Sequence, residues 1–194
     1  MMNIAIFASG SGSNFQAIYD AVQNGELEAN ISLLVCDKPN AKVVERANDA
    51  GIPAFVFSPG DFSSKDEYES AICEQLLKYG VQFIVLAGYM RLIGSCLLGN
   101  FAGKIVNIHP SLLPSFPGKD AVGQAIEAKV KVTGITIHYV DEGMDTGPII
   151  AQKAIDLFDG DTREDIESRI HQAEHEFYPK TLQRIFKRVK HDNS

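Results

Sequence analysis

The chain has 194 residues, 45% of them apolar, and its 18 Lys and Arg are outnumbered by 25 Asp and Glu for a formal charge of −7. A chain of this length can bury roughly 70% of its unfolded surface, so it needs no disulfide or metal staple; its acidity, relieved only at Lys187-Arg188-Val189-Lys190, argues against nucleic acid or another broad polyanion, though not against one local phosphate. Cys36, Cys73 and Cys96 are odd in number and far apart, no basic leader precedes Asn3, and Phe83 to Met90 is too short to span a membrane, which together predict a cytoplasmic protein with buried free thiols.

Asn3 to Ala8 is apolar throughout, the pattern of a strand buried on both faces of a parallel sheet. It runs into Ser9-Gly10-Ser11-Gly12-Ser13-Asn14 and an amphipathic helix from about Phe15 to Val22. In that setting backbone N–H groups and a helix dipole can hold a phosphate. The loop lacks the Gly-Lys-Ser/Thr of a Walker A motif, and Phe15 replaces the third glycine of GxGxxG, which counts against a dinucleotide pyrophosphate. The alternative is a plain turn capped by Ser or Asn. Ile31 to Cys36 predicts a second buried strand, Asp37 to Asn40 a turn, Lys42 to Ala50 a helix capped by Gly51, and Pro53 to Phe57 a third strand. Asp37 falls near the ribose-binding acid of a Rossmann fold, which keeps a dinucleotide in view. A helix follows over Lys65 to Tyr79 and a fourth strand over Phe83 to Ala87. The residues leaving that strand, Gly88-Tyr89-Met90-Arg91-Leu92-Ile93, can line an apolar slot for a flat ligand or simply cap the sheet.

A short helix over Gly94 to Asn100 leads to the strand Ile105-Val106-Asn107-Ile108-His109-Pro110. Alternation puts Asn107 and His109 on one face, a pleat apart, where an amide can stabilise an oxyanion and an imidazole can exchange a proton. Pro110 ends the strand. The competing reading is a strand-end Asn and His that only satisfy nearby backbone. Two prolines stiffen the loop Ser111 to Gly118, a helix covers Ala121 to Lys129, and Thr133 to Val140 is a strand with Ile135, Ile137 and Tyr139 on its core face and His138 opposite, a supporting or core histidine. The acidic loop Asp141-Glu142-Gly143-Met144-Asp145-Thr146-Gly147 is too short for a crossover helix, so the strand Pro148 to Ile155 should be antiparallel to its predecessor. A loop that brings Asp145 to His109 would favour the imidazolium, raise its pKa and fix its tautomer. Asp161 or Thr162 should cap a last helix running to about Lys190. Within it, His171-Gln172-Ala173-Glu174-His175 matches the HxxEH spacing of zinc peptidases, but only Glu176 and Asp192 remain downstream as a third ligand, so an accidental match is the better reading.

Three stretches taken together, Gly10-Ser11-Gly12-Ser13-Asn14, Asn107-Ile108-His109-Pro110-Ser111-Leu112-Leu113-Pro114 and Asp141 to Pro148, resemble the folate-dependent formyltransferases. The likeness extends to His175-Glu176-Phe177-Tyr178-Pro179. It implies a three-layer α/β/α fold around a mixed, mostly parallel seven-stranded sheet, with a Rossmann-like N-terminal half, in one domain over residues 1–194. The implied activity is transfer of the formyl group of 10-formyltetrahydrofolate, a co-substrate, to the amine of glycinamide ribonucleotide in purine synthesis, without a metal. By the same resemblance Asn107 and protonated His109 stabilise the tetrahedral oxyanion, His109 gives the proton to N10, and Asp145 keeps the imidazole charged. Gly12, Ser13 and Asn14 would hold the ribonucleotide phosphate and Glu174 its ribose hydroxyls. Lys65, Met90, Arg91, Leu92 and Ile93, with Asn107 and the loop Val140 to Asp145 including Asp141 and Met144, would form the folate pocket. Partners are then small molecules only, with no nucleic acid and no membrane, for a monomer or homodimer. Other family members with added RNA-binding, regulatory or sugar-specific segments fit this length and charge less well. Bacterial members also carry histidines where this chain has Lys119-Asp120-Ala121-Val122, which puts any pH-dependent ordering of that loop in question. From another class, a binding-only nucleotide sensor remains a rival; it would bind ligand without turnover.

Overall fold

The structure, a computed structural model, describes residues 1–192. Its centre is a seven-stranded sheet in the order β3-β2-β1-β4-β5-β6-β7. These strands are β1 (Met2–Ala8), β2 (Ala29–Cys36), β3 (Ala54–Val56), β4 (Phe83–Leu86), β5 (Ile105–His109), β6 (Val132–Tyr139) and β7 (Ile149–Asp156). The first five are parallel; β6 runs antiparallel to β5, and β7 to β6. The unbroken apolar run of β1 serves two cores: Ile4, Ile6 and Ala8 face one, Ala5 and Phe7 the other. The first core is covered by α1 (Ser13–Gln23), α2 (Lys42–Asp49), α5 (Ala121–Glu127) and α6 (Arg163–Asp192), the second by α3 (Lys65–Lys78) and α4 (Ser95–Asn100). That is the expected three-layer mixed sheet.

The differences from the sequence reading are local and have local causes. The third strand is only Ala54–Val56, because Phe57 turns in to stack on Tyr68 at 5.2 Å. The helix expected to reach Lys129 ends at Glu127, since Lys129 itself lies at φ 53°. Thr162, not Asp161, caps α6: its hydroxyl accepts from the Asp165 N–H and the Asp165 carboxylate accepts from the Thr162 N–H, a reciprocal cap. Asp161 instead takes Arg169. Far along α6 the buried Tyr178 hydroxyl donates to the Leu86 carbonyl at 2.8 Å, fastening the helix to the C-terminal end of β4.

Strand order reverses between β1 and β4, so the loops leaving them diverge to opposite faces and open a crevice at the carboxyl edge of the sheet. Across it the Ser9 N–H donates to the Gly88 carbonyl at 3.0 Å.

Candidate active site

Two cavities share the walls of this crevice. The smaller, about 240 Å³, is lined by Gly10 to Asn14, Gly88, Ile108, Pro110, His171 and Glu174. Gly12 precedes α1 at φ 75°, and no side chain caps the helix. The plain-cap alternative is therefore not realised, and the first N–H groups of an eleven-residue helix face the cavity without a side-chain acceptor. Only glycine fits there: a Cβ on Gly12 would stand 2.6 Å from Val43 Cγ2. Arg46 of α2 steadies the loop by donating to the Ser11 carbonyl at 2.8 Å. Opposite, the Asn14 amide donates to Glu174 Oε2 at 3.1 Å, while Asn14 Oδ1 is buried with no partner. Burial raises the Glu174 pKa above the usual carboxylate value, with the Asn14 hydrogen bond opposing it. Gly12, Ser13, Asn14 and Glu174 are thus brought together as the sequence suggested. His171 completes the wall; its HxxEH partner His175 has a buried Nε2 without a partner and a pKa lowered by burial. No group of three or more His, Cys, Asp or Glu able to hold a metal occurs among the described residues.

The larger cavity, about 420 Å³, is lined by the stretch Tyr89 to Ile93, by Asn107, His109, His138 and Val140, and by Gly118 to Val122 and Gly143 to Asp145. Asn107 and His109 do lie on one face of β5, paired with His138 and Thr136 of β6. Asp145, in the left-handed region at φ 56°, sets Oδ2 3.5 Å from His109 Nδ1 and accepts the Gly118 N–H at 2.8 Å. The other imidazole nitrogen, Nε2, is 2.9 Å from the Phe116 carbonyl. Both ring nitrogens therefore face acceptors, an arrangement that a doubly protonated ring satisfies and a neutral one leaves half unmet. His138 is the supporting residue the alternation suggested. Its Nδ1 lies 2.8 Å from the Tyr139 carbonyl, which assigns the proton to Nδ1 and leaves Nε2 to accept from the Asn107 amide at 3.4 Å. One Asn107 N–H is thereby held and the other is left for the cavity.

Of the expected folate-side residues, Met90, Arg91, Leu92, Ile93, Asn107, Val140 and Met144 line this cavity. Lys65 and Asp141 do not. Lys65 opens α3, with Nζ 4.0 Å from Glu69, and Asp141 turns into its own loop to bind Thr146 and the Gly143 N–H. Asp37 is not open to a ribose: it is buried, accepts from Ser9 at 2.5 Å and pairs with Arg91 at 2.8 Å, which closes the dinucleotide reading. The Phe116 carbonyl and the Gly118 N–H are contacts that sequence could not offer, being backbone groups. In the loop after Gly118, Asp120 caps α5 and pairs with Arg163, and Gln124 donates to the carbonyls of Pro117 and Lys119.

With this geometry in place, comparison with known proteins is informative. The family model described as formyl transferase matches residues 2–182. The phosphoribosylglycinamide formyltransferase of Bacillus subtilis (strain 168) is 58% identical over 185 residues, covering 95% of each chain. The crystal structure of glycinamide ribonucleotide transformylase 1 from Geobacillus kaustophilus superimposes with a TM-score of 0.94 at 59% identity, over 95% of this chain and 98% of that one. The trifunctional purine biosynthetic protein adenosine-3 of Drosophila melanogaster is 41% identical over 92% of this chain, which spans 13% of that longer protein.

Proposed function

The chain belongs to the formyl transferase family, and from that premise we propose that it transfers the formyl group of 10-formyltetrahydrofolate to the amine of glycinamide ribonucleotide. The observation that carries the reading is the meeting of Asn107, His109 and Asp145 in the larger cavity, suited to a flat apolar ligand, which shares Gly88, Ile108 and Pro110 with a smaller one suited to a phosphate. In this reading the phosphate sits on the N–H groups of Gly12, Ser13 and Asn14, and Glu174 accepts from the ribose hydroxyls. The amine then reaches the formyl carbon from the smaller cavity. The folate ring lies against Met90 to Ile93 and Val140 in the larger one.

As the amine attacks, its nitrogen bonds to the formyl carbon and the carbonyl oxygen becomes an oxyanion. The free Asn107 N–H and the protonated His109 stabilise that charge. Collapse breaks the bond from carbon to N10, N10 gains a proton from His109, and the former amine releases its surplus proton to solvent, from which His109 is recharged, so protons balance without an enzymic nucleophile. Asp145, 3.5 Å from Nδ1, holds the ring in place. Because the Phe116 carbonyl occupies His109 Nε2, that loop must lift before the proton can be delivered. No step calls for a metal.

The groups invoked lie on β5, on α1 and α6 packed against the sheet, and on loops beside its carboxyl edge, which supports reading the chain as one catalytic domain with small-molecule partners. No helix among the described residues is long and apolar enough to cross a membrane. The deciding experiment is a spectrophotometric assay of 10-formyltetrahydrofolate with and without glycinamide ribonucleotide. Formyl loss that requires the amine is expected. Loss without it would make the protein a hydrolase, and ligand binding with no loss would make it a sensor.

A further inference from the structure

The segment that lines one side of the larger cavity, Tyr89 to Gly94, has neither helix nor strand of its own, yet it is tied at both ends by buried carboxylates. At its start the Met90 N–H donates to Ser9 Oγ at 2.9 Å, and that hydroxyl donates to Asp37 Oδ1 at 2.5 Å. One residue on, Arg91 Nε donates to Asp37 Oδ2 at 2.8 Å, and the guanidinium carbon lies 6.0 Å from the Tyr68 ring centroid. At its end the Gly94 N–H donates to Glu69 Oε1 at 2.7 Å. Asp37 is 3% exposed and Glu69 1%.

We propose that Asp37, at the end of β2, is a positioning residue for the folate slot: through Ser9 and Arg91 it sets the path of Met90 and Arg91, while Glu69 fixes where the segment ends. The inference rests on the proposed function and extends it to a residue outside the cavity. A loop held only by its own conformational preferences would lose entropy on ordering around a ligand. Here Asp37 uses one oxygen for the hydroxyl that carries the Met90 N–H and the other for the guanidinium. The Arg91 side chain is thereby drawn inward against β2, and the backbone from Arg91 to Ile93 is left to meet the ligand. The acid that a dinucleotide fold would spend on a ribose is spent here on the neighbouring wall.

The test is steady-state kinetics of Asp37→Ala and Asp37→Asn with each substrate varied in turn, beside calorimetric titration of each protein with 10-formyltetrahydrofolate alone. Loss of hydrogen bonds to a charged group predicts that Asp37→Ala raises the folate KM and dissociation constant about ten-fold or more. Asn keeps one acceptor oxygen, enough for Ser9 or Arg91 but not both, so Asp37→Asn should lie between wild type and Ala. The KM for the ribonucleotide and kcat at saturating folate should stay within about three-fold, the signature of lost binding on one side of the site. Adding Arg91→Ala to Asp37→Ala should cost little more than Asp37→Ala alone, because the ion pair is already gone. A folded Asp37→Ala with unchanged folate KM overturns the proposal, as does a rise in both KM values together with a lowered Tm. A wild-type protein that binds the folate but transfers nothing would sink the function reading alone, since the titration still reports on Asp37.

Discussion

The two cavities share Gly88, Ile108 and Pro110 but are built in opposite ways. The smaller is walled by the ends of regular elements: the N-terminus of α1 after β1, the end of β5 and one face of α6. Its critical constraint is a single glycine in the left-handed region, and its groups are fixed before any ligand arrives. The larger is walled by three irregular segments, 89–94, 111–120 and 140–147: the first is held by Asp37 and Glu69 and the second by Gln124, side chains reaching in from elsewhere, and the third by its own Asp141. A short charged ligand can be met by backbone at a helix end, whereas a long flat one needs a slot whose sides can close. The contrast predicts that variants on the first side behave as lost contacts and that variants on the second behave as lost order.

Where the two sides meet, the largest effect is expected. His109→Ala should lower kcat by about 100-fold or more while leaving folate binding, because the proton donor acts only in the transition state. Asn107→Ala removes an oxyanion donor and should cost about 3 kcal/mol of barrier. Asp145→Asn is the sharper probe, since that carboxylate serves both His109 and the Gly118 N–H of the folate side. It should reduce kcat and raise the folate KM together. Single-turnover rates set beside binding titrations would separate the two effects, and wild-type kcat in all three variants would break the assignment of the trio.

On the rigid side, Glu174 gives an intermediate effect with a defined pH sign. Burial raises its pKa, so protonation begins above the usual carboxylate range. Ribose hydroxyls donate to the carboxylate form, so the KM for the ribonucleotide should climb as pH falls through the raised pKa, and Glu174→Gln should flatten that climb. Stability runs the other way. A carboxyl whose folded pKa is raised contributes stability below its unfolded pKa and loses that contribution as pH rises through the folded one. Glu174→Gln should therefore raise Tm slightly at neutral pH and leave it unchanged in acid. A ribonucleotide KM in the wild type that ignores pH would exclude Glu174 from the site.

The same contrast explains what could be read from the amino acids. Strand and helix periodicity located the regular walls, and the Gly12 and Asn107/His109 spacings pointed at chemistry because regular elements convert spacing into direction. On the folate side the residues leaving β4 suggested an apolar slot, and the rest was legible only through family likeness. Nothing in the order of residues says that Asp37 reaches Arg91, 54 positions away. Nor does it say that the carbonyl of Phe116, itself at φ 52°, comes to rest on His109. Lys65 and Asp141, carried over by resemblance, stand outside the cavity because the side-chain direction at a helix start or inside a tight loop depends on partners that pattern does not reveal.

The smallest effect tests the folate side alone. Gln124 of α5 donates to the Pro117 and Lys119 carbonyls at 3.0 and 2.9 Å, and Asp120 to Arg163 adds an exposed ion pair. None of these ties titrates near neutral pH. Gln124→Ala removes two exposed hydrogen bonds, worth about 1 kcal/mol together after competition with water. The loop should then spend more time off His109. That exchanges two opposed consequences, since lifting Phe116 frees the proton donor but leaves the folate less enclosed. Folate dissociation should speed up by about five-fold at most, with the ribonucleotide KM unmoved and the pH profile of loop closure flat between 6 and 8. Stopped-flow dissociation across that range would measure it. A closure that changes with pH across that range would show that a titrating group still governs this loop.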